Sequence, residues 1–169
     1  MTHRDMLFKW LFYALASALF LVLQGLLFNH IFLFNVHPFV FPILAATLAV
    51  LESPQESFAY ALVLGFLCDL AIPGMFPCFY TVSFLLIALL SSIVADKIIV
   101  PGFWCALVCG ALSIVVCGLF NTLILHYRHA IPYADAFVLI GRELLLSLVL
   151  IPPVYFLFRK INLRISQNG

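Results

Sequence analysis

Long apolar stretches alternate along this chain with short breaks that contain proline, charge or both. Most stretches approach the about 20 residues that a helix needs to cross the hydrocarbon core of a bilayer. The pattern predicts six transmembrane helices: Leu7 to Phe28, Pro38 to Leu51, Pro54 to Ile72, Pro77 to Ala95, Pro101 to His126, and Phe137 to Phe158. Proline begins or closely precedes each segment after the first, as is common at the first position of a helix.

Two of these segments are irregular. The second has fourteen residues by this assignment, so it reaches only about 21 Å and has to thin the bilayer or pack against its neighbours. The sixth contains Pro152 and Pro153. Because proline has no backbone N–H, we expect a kink or an unwound turn there.

Composition defines the class of protein. Hydrophobic residues make up 66% of the 169 and charged residues only 9%, which excludes a soluble domain with a polar surface. Six spans leave no room for a sizeable extramembrane domain. We therefore expect an all-α integral membrane protein, a six-helix transmembrane bundle forming a single polytopic domain over residues 1–169 that is surrounded by membrane lipid. The net charge is +1 without a basic block, and this argues against nucleic acid as a partner.

Lysine and arginine set the predicted orientation. With six spans and an internal N-terminus, most of these residues lie on the cytoplasmic side, as the positive-inside rule requires. They are Arg4, Lys9, Lys97, Arg159, Lys160 and Arg164. Both termini are thus predicted to be cytoplasmic.

Asp69 is an acidic residue within a lipid-compatible stretch. A carboxylate inside the membrane is costly and needs a cation or hydrogen-bond donors. Arg142, followed by Glu143 in the sixth segment, is predicted at a similar outer depth, and its planar guanidinium suits a carboxylate. In this interpretation, the pair of Asp69 and Arg142 holds the third helix against the sixth. The alternative roles for Asp69 are in an ion or proton relay and in a polar wall of a partner or ligand site.

Small and polar residues recur at every fourth position of the fifth segment. Such rows let helix backbones approach each other closely in a membrane. Internal packing of this bundle and recruitment of a helix from another subunit both explain the pattern. The row consists of Cys105, Cys109, Ser113, Cys117 and Asn121, with Ala106, Gly110 and Gly118 beside it.

Two further features have competing interpretations. Ser53-Pro54-Gln55-Glu56 has the form of a capping box, although Glu52 and Glu56 also suit an acidic docking site for a partner. The cysteines are expected to act as small apolar residues, with a disulfide between Cys68 and Cys78 as the alternative.

Recognisable catalytic chemistry is missing from the sequence. It contains no phosphate-binding glycine loop, no zinc-protease or serine-hydrolase motif, and no plausible catalytic triad. We therefore expect a protein that is not an enzyme and that has no cofactor and no metal.

The chain resembles the rod-shape-determining MreD family. The resemblance rests on Pro54 followed by Gly65-Phe66-Leu67-Cys68-Asp69-Leu70, on Pro73-Gly74 before another apolar span, and on a proline-bearing last helix that ends in Phe158-Arg159-Lys160. Members often have glycine where this chain has Phe76 or Pro77. The resemblance implies a non-catalytic scaffold in the bacterial cytoplasmic membrane. Its implied partners are MreC and, through MreC, the MreB filament, RodA and a class-B penicillin-binding transpeptidase of lateral wall synthesis.

That family is similar in fold to the S subunits of energy-coupling-factor vitamin transporters, which supplies the alternative function. Ala14-x-x-x-Ala18 is similar to the small-residue motif that such subunits present to their coupling protein. A vitamin site requires several convergent polar groups, and the sequence offers few beneath the predicted outer loops.

Overall fold

The computed structural model of the chain describes residues 3–24, 26, 39–71, 78–127 and 133–167. Within these ranges the secondary structure is helical and contains no strand. The helices are α1 His3–Leu23, α2 Phe41–Leu51, α3 Pro54–Ala71, α4 Phe79–Lys97, α5 Phe103–Tyr127, α6 Tyr133–Leu148 and α7 Ile151–Gln167. The predicted all-helical class is therefore confirmed for this part of the chain, and the predicted sixth segment forms two helices.

The short helix α2 lies at the centre of the molecule. Every residue from Phe41 to Val50 is buried, because α3, α4, α5 and α7 all pack against it. A helix that is apolar on all sides is typical of such a position. Its 11 residues reach only about 16 Å, so α2 serves as the core around which the longer helices pack.

The remaining helices form neighbouring pairs around this core. The closest pairing is that of α3 with α4, and α5 packs on α6. Helix α1 contacts α7, which brings the beginning and the end of the chain together. This arrangement places the start of α1, the α2–α3 turn and the second half of α7 at one end of the molecule.

Helices α6 and α7 are bent by 47° at their junction. Pro152 and Pro153 cannot donate hydrogen bonds to the carbonyl groups four residues earlier, so the helix cannot continue through this point. The amide of Leu150 instead bonds to the carbonyl oxygen of Ser147 at 2.9 Å. The predicted kink is confirmed, and the break lies just before the two prolines.

The described helices are consistent with a membrane protein. By length and composition two of them could cross a bilayer, over Phe79–Lys97 and Phe103–Leu123, and the bent α6–α7 pair makes a third if it is one span. Two shorter apolar helices, Phe8–Leu23 and Phe41–Leu51, accompany them. The six spans and the cytoplasmic termini stay predictions.

Candidate functional sites: a helix joint and a buried ion cluster

Asp69 binds the first turn of α4 with both carboxylate oxygens. The amide of Tyr80 donates to Oδ1 at 2.9 Å and the amide of Thr81 to Oδ2 at 3.0 Å, while the Thr81 hydroxyl donates to Oδ2 at 2.6 Å. These amides belong to the second and third residues of α4, which have no acceptor within their own helix. Asp69 thus caps α4 from the neighbouring helix.

The local sequence explains why α4 needs this external cap. Cys78 occupies the N-cap position with φ 63° and makes no side-chain capping bond. A carboxylate beside the N-terminus of a helix is also favoured by the helix dipole. The contact with α4 therefore offsets the unfavourable position of Asp69 near the carbonyl end of α3.

Gly65 makes this contact possible, one helical turn before Asp69. A Cβ atom added at Gly65 would lie 2.5 Å from the Cα atom of Thr81 and 2.9 Å from its amide nitrogen. Both atoms belong to the backbone, so neither can rotate away. Gly65, Asp69, Tyr80 and Thr81 together are called the α3–α4 joint below.

The donors of Asp69 differ from the predicted ones. The sequence suggests pairing with Arg142, whereas the hydrogen bonds described for Asp69 come from Tyr80 and Thr81. Arg142 is exposed on α6 and Glu143 is partly buried beside it. The start of the following helix thus supplies the donors described for Asp69, and its pairing with Arg142 stays a prediction.

A second polar site lies at the opposite end of α3 and centres on Lys9. Lys9 is only 7% exposed, although lysine is almost never buried unless it is paired. Its Nζ donates to a carboxylate oxygen of Glu52 and, at 3.1 Å, to one of Glu56. One cation therefore holds two carboxylates from the α2–α3 turn and the first turn of α3.

Two neutral side chains complete the coordination of Glu52. The Tyr13 hydroxyl donates to Glu52 Oε1 at 2.6 Å. Asn162 Nδ2 donates to the same oxygen at 2.8 Å and to the carbonyl oxygen of Leu51 at 3.3 Å. Lys9, Tyr13, Glu52, Glu56 and Asn162 are called the ion cluster below. It ties α1 and α7 to the α2–α3 turn.

Burial raises the pKa of Glu52, which lies between α2 and α3. Desolvation and, after it, the neighbouring Glu56 carboxyl raise the pKa of Glu52, while the bonds from Lys9 and Tyr13 lower it; the net change is upward. Unpaired buried charges are strongly destabilising. The ion cluster is consequently stable only while its donors and acceptors stay together.

Apolar contacts continue from the ion cluster into the core. The ring of Tyr13 stacks on Phe158 with 5.4 Å between their centroids. One turn further along α1, the Ser17 hydroxyl is hydrogen-bonded to that of Tyr60. The cluster is therefore continuous with the packing of α1 against α3 and α7.

The ion cluster was not predicted from the sequence. In the sequence, Lys9 indicates only the orientation of the chain, and Glu52 and Glu56 suit a capping box or a docking site. In the structure the carboxylate of Glu56 binds Lys9. The sequence contains one signal for this cluster. Lys9 and Tyr13 lie four residues apart, as do Glu52 and Glu56. A lysine inside an apolar segment also requires a partner.

The row of small residues on α5 lies mainly inside the molecule. Cys105, Cys109, Ser113 and Cys117 are buried, whereas Asn121 is exposed. A Cβ atom at Gly110 would lie 2.9 Å from Ile151 Cδ1, and one at Gly118 would lie 2.9 Å from Ile140 Cγ1. These contacts agree with internal packing of α5 against its neighbours.

All five cysteines are free, including Cys68 and Cys78. The alternative of a disulfide between these two is therefore wrong for this structure. Cys78 is exposed and the other four are buried, which fits their expected use as small apolar residues.

Comparisons of the chain with known protein families, with curated proteins and with solved structures give no match. The residues of the α3–α4 joint include Gly65 and Asp69, on which the sequence resemblance mainly rests. Pro73, Gly74, Phe76 and Pro77, which also enter that resemblance, lie outside the described residues.

Proposed function

We propose that this protein is a non-catalytic membrane scaffold and regulator of bacterial cell-wall elongation, of the MreD type. In this proposal it lies in the cytoplasmic membrane as a six-span bundle with both termini inside. The observation that carries the proposal is the use of the Gly65–Asp69 segment. The segment that accounts for most of the resemblance to MreD binds one helix to the next, with both carboxylate oxygens engaged.

The ion cluster supports the same interpretation. Its charged groups bind each other and hold α1 and α7 to the α2–α3 turn. Polar groups that are engaged in this way stabilise an arrangement of helices, and a scaffold requires such an arrangement in order to present fixed surfaces. The proposed partner is MreC, with MreB, RodA and the transpeptidase recruited through it.

The test is depletion of the protein in the rod-shaped bacterium that carries it. We expect the cells to become round, and we expect tagged protein purified in mild detergent to retain MreC. Asp69→Ala should restore rod shape less well than the wild type at equal membrane abundance. Asp96→Ala is the matched control, because Asp96 is an exposed acid on α4.

The S-subunit function is kept as the second candidate because Ala14 and Ala18 are both exposed on α1. Exposure of the two small residues is what docking to a coupling protein requires. The same purification distinguishes the candidates. An energy-coupling ATPase module or a bound vitamin in the preparation, together with unchanged cell shape on depletion, contradicts the scaffold proposal.

A further inference from the structure

A cleft opens beside the ion cluster, at the end of the molecule where α4 passes into α5. Its volume is about 440 Å³. The end of α2 forms one wall with Leu51, the start of α5 forms another with Phe103, and α7 contributes Tyr155, Arg159 and Asn162. Three helices that are distant in sequence therefore meet around one opening.

One side of the cleft is aromatic and carries a cation. The rings of Phe103 and Tyr155 pack edge to face with 5.6 Å between their centroids. The guanidinium carbon of Arg159 lies 5.9 Å from the centre of the Tyr155 ring. A cation at this distance from an aromatic ring is attracted to its face, and a guanidinium carries five N–H donors that an anion can accept from.

The carboxylates nearest to the cleft do not neutralise Arg159. Glu52 and Glu56 bind Lys9, and the partner described for Arg159 is the Tyr155 ring. Lys97 and Lys160 are exposed at the same end of the molecule. Among the described side chains, the acids at this end are Glu52, Glu56 and Asp96, and Asp96 is exposed beside Lys97. They are outnumbered by one by the cations Lys9, Lys97, Arg159 and Lys160, so the net charge of these groups is positive and complementary to an anionic group.

The turn beside the cleft is strongly apolar. Val100 is 85% exposed and Trp104 is 73% exposed, while Pro101 and Gly102 between them line the cleft. Tryptophan at such a position is typical of the boundary between lipid headgroups and acyl chains. The occupant of the cleft should accordingly combine an anionic head with hydrocarbon.

We propose that the cleft binds an anionic phospholipid of the adjacent leaflet, with the phosphate on Arg159 and the acyl chains beside Val100 and Trp104. Asn162 belongs to both the cleft wall and the ion cluster. Lipid bound here therefore stabilises the contact of α7 with the α2–α3 turn. This inference goes beyond the proposed function and does not depend on it.

The experiment compares two lipids on the purified, delipidated full-length protein in a neutral detergent. Phosphatidylglycerol and phosphatidylcholine of the same acyl chains are added separately, and bound lipid is counted by native mass spectrometry. Phosphatidylglycerol should bind preferentially and raise the midpoint of thermal unfolding by about 3 °C more than phosphatidylcholine. Equal binding of the two lipids to the wild-type protein would overturn the proposal.

Two variants locate the site. Arg159→Gln should weaken phosphatidylglycerol binding by about tenfold, the effect of losing a charge-assisted hydrogen bond. Lys160→Gln removes the same charge from the next residue, which does not line the cleft, and should leave binding nearly unchanged. Equal losses in the two variants would show diffuse attraction by surface charge and contradict the assigned site.

Soluble glycerol phosphate distinguishes the source of the anion. It carries the same headgroup chemistry without acyl chains, so it should neither compete with phosphatidylglycerol at equal concentration nor raise the unfolding midpoint. Stabilisation by glycerol phosphate equal to that by the lipid would assign the cleft to a soluble phosphate and overturn the lipid proposal.

Discussion

The α3–α4 joint and the ion cluster both place a carboxylate against donors within the helix bundle, but they do so over very different distances along the chain. In the joint, Asp69 binds residues 11 and 12 positions further on. In the ion cluster, Glu52 binds Tyr13 across 39 positions and Asn162 across 110. The joint satisfies its carboxylate with neutral donors, two backbone amides and one hydroxyl, whereas the cluster includes a buried cation.

The difference shows two ways of keeping an acid inside an apolar protein. At the joint, helix formation itself exposes the amides at the start of α4, so the donors exist wherever that helix begins. At the cluster, the donors are assembled only when α1 and α7 have packed at one end of the core. The joint should therefore tolerate a neutral replacement of its carboxylate better than the cluster tolerates loss of its cation.

Loss of the cation should have the largest effect. Lys9→Met leaves the buried carboxylate of Glu52 and the partly exposed carboxylate of Glu56 without their shared partner. It should lower the free energy of unfolding in detergent micelles by about 3 kcal/mol. Lys160→Met is the control on the exposed surface and should change it by less than about 0.5 kcal/mol. A similar loss in both variants would show that Lys9 does not hold the cluster.

Removing the carboxylate of the joint should rank second. Asp69→Ala leaves the amides of Tyr80 and Thr81 without their acceptor and should cost about 2 kcal/mol, while Asp69→Asn keeps one acceptor oxygen and should cost less. Arg142→Gln tests the partner predicted from the sequence. A loss in Arg142→Gln that disappears in the Asp69→Ala background would support the predicted ion pair, whereas additive losses would contradict it.

The close approach of α3 and α4 can be tested with a single methyl group. Gly65→Ala forces Cβ against the backbone of Thr81 and should cost about 1 to 3 kcal/mol despite the better helix propensity of alanine. Gly141→Ala is the control. It adds the same methyl group at a position where a Cβ atom would meet nothing within 4 Å. It should be neutral or slightly stabilising in the same unfolding measurement, and equal losses in the two variants would contradict the close approach.

The neutral donors of the ion cluster should have the smallest effect. Tyr13→Phe keeps the ring that stacks on Phe158 and removes only the hydroxyl that donates to Glu52, so a loss of about 1.5 kcal/mol is expected. In the Lys9→Met background this loss should change, because both side chains bind the same carboxylate. Additive losses in the double variant would argue against one coupled cluster.

Of the candidate sites, the sequence predicts that Asp69 needs hydrogen-bond donors. The sequence shows an acid in an apolar stretch, and its cost is a local property of the residue and its surroundings. Which donors meet that need depends on the start of α4 and on the missing side chain of Gly65. The resemblance singled out both residues without indicating that they contact the same turn.

The partners of Lys9 could not be identified from the sequence for a different reason. Lys9 near the beginning of an apolar segment is compatible with exposure at the membrane surface, as the positive-inside rule assumes. Only the packing of α1 on α7, with the α2–α3 turn beside them, encloses it. Sequence spacing carries no information about a contact between residues 9 and 52 when each is compatible with water.

The sequence by itself determined the helical, membrane-compatible character of the chain, the proline break between α6 and α7 and the need of Asp69 for hydrogen-bond donors, because apolar runs, prolines and charges act locally. The tertiary structure decided that the shortest helix is the core, that Asp69 caps α4 and that Lys9 is buried between two acids. These depend on which surfaces meet, and burial turns an ordinary surface charge into one that must be paired.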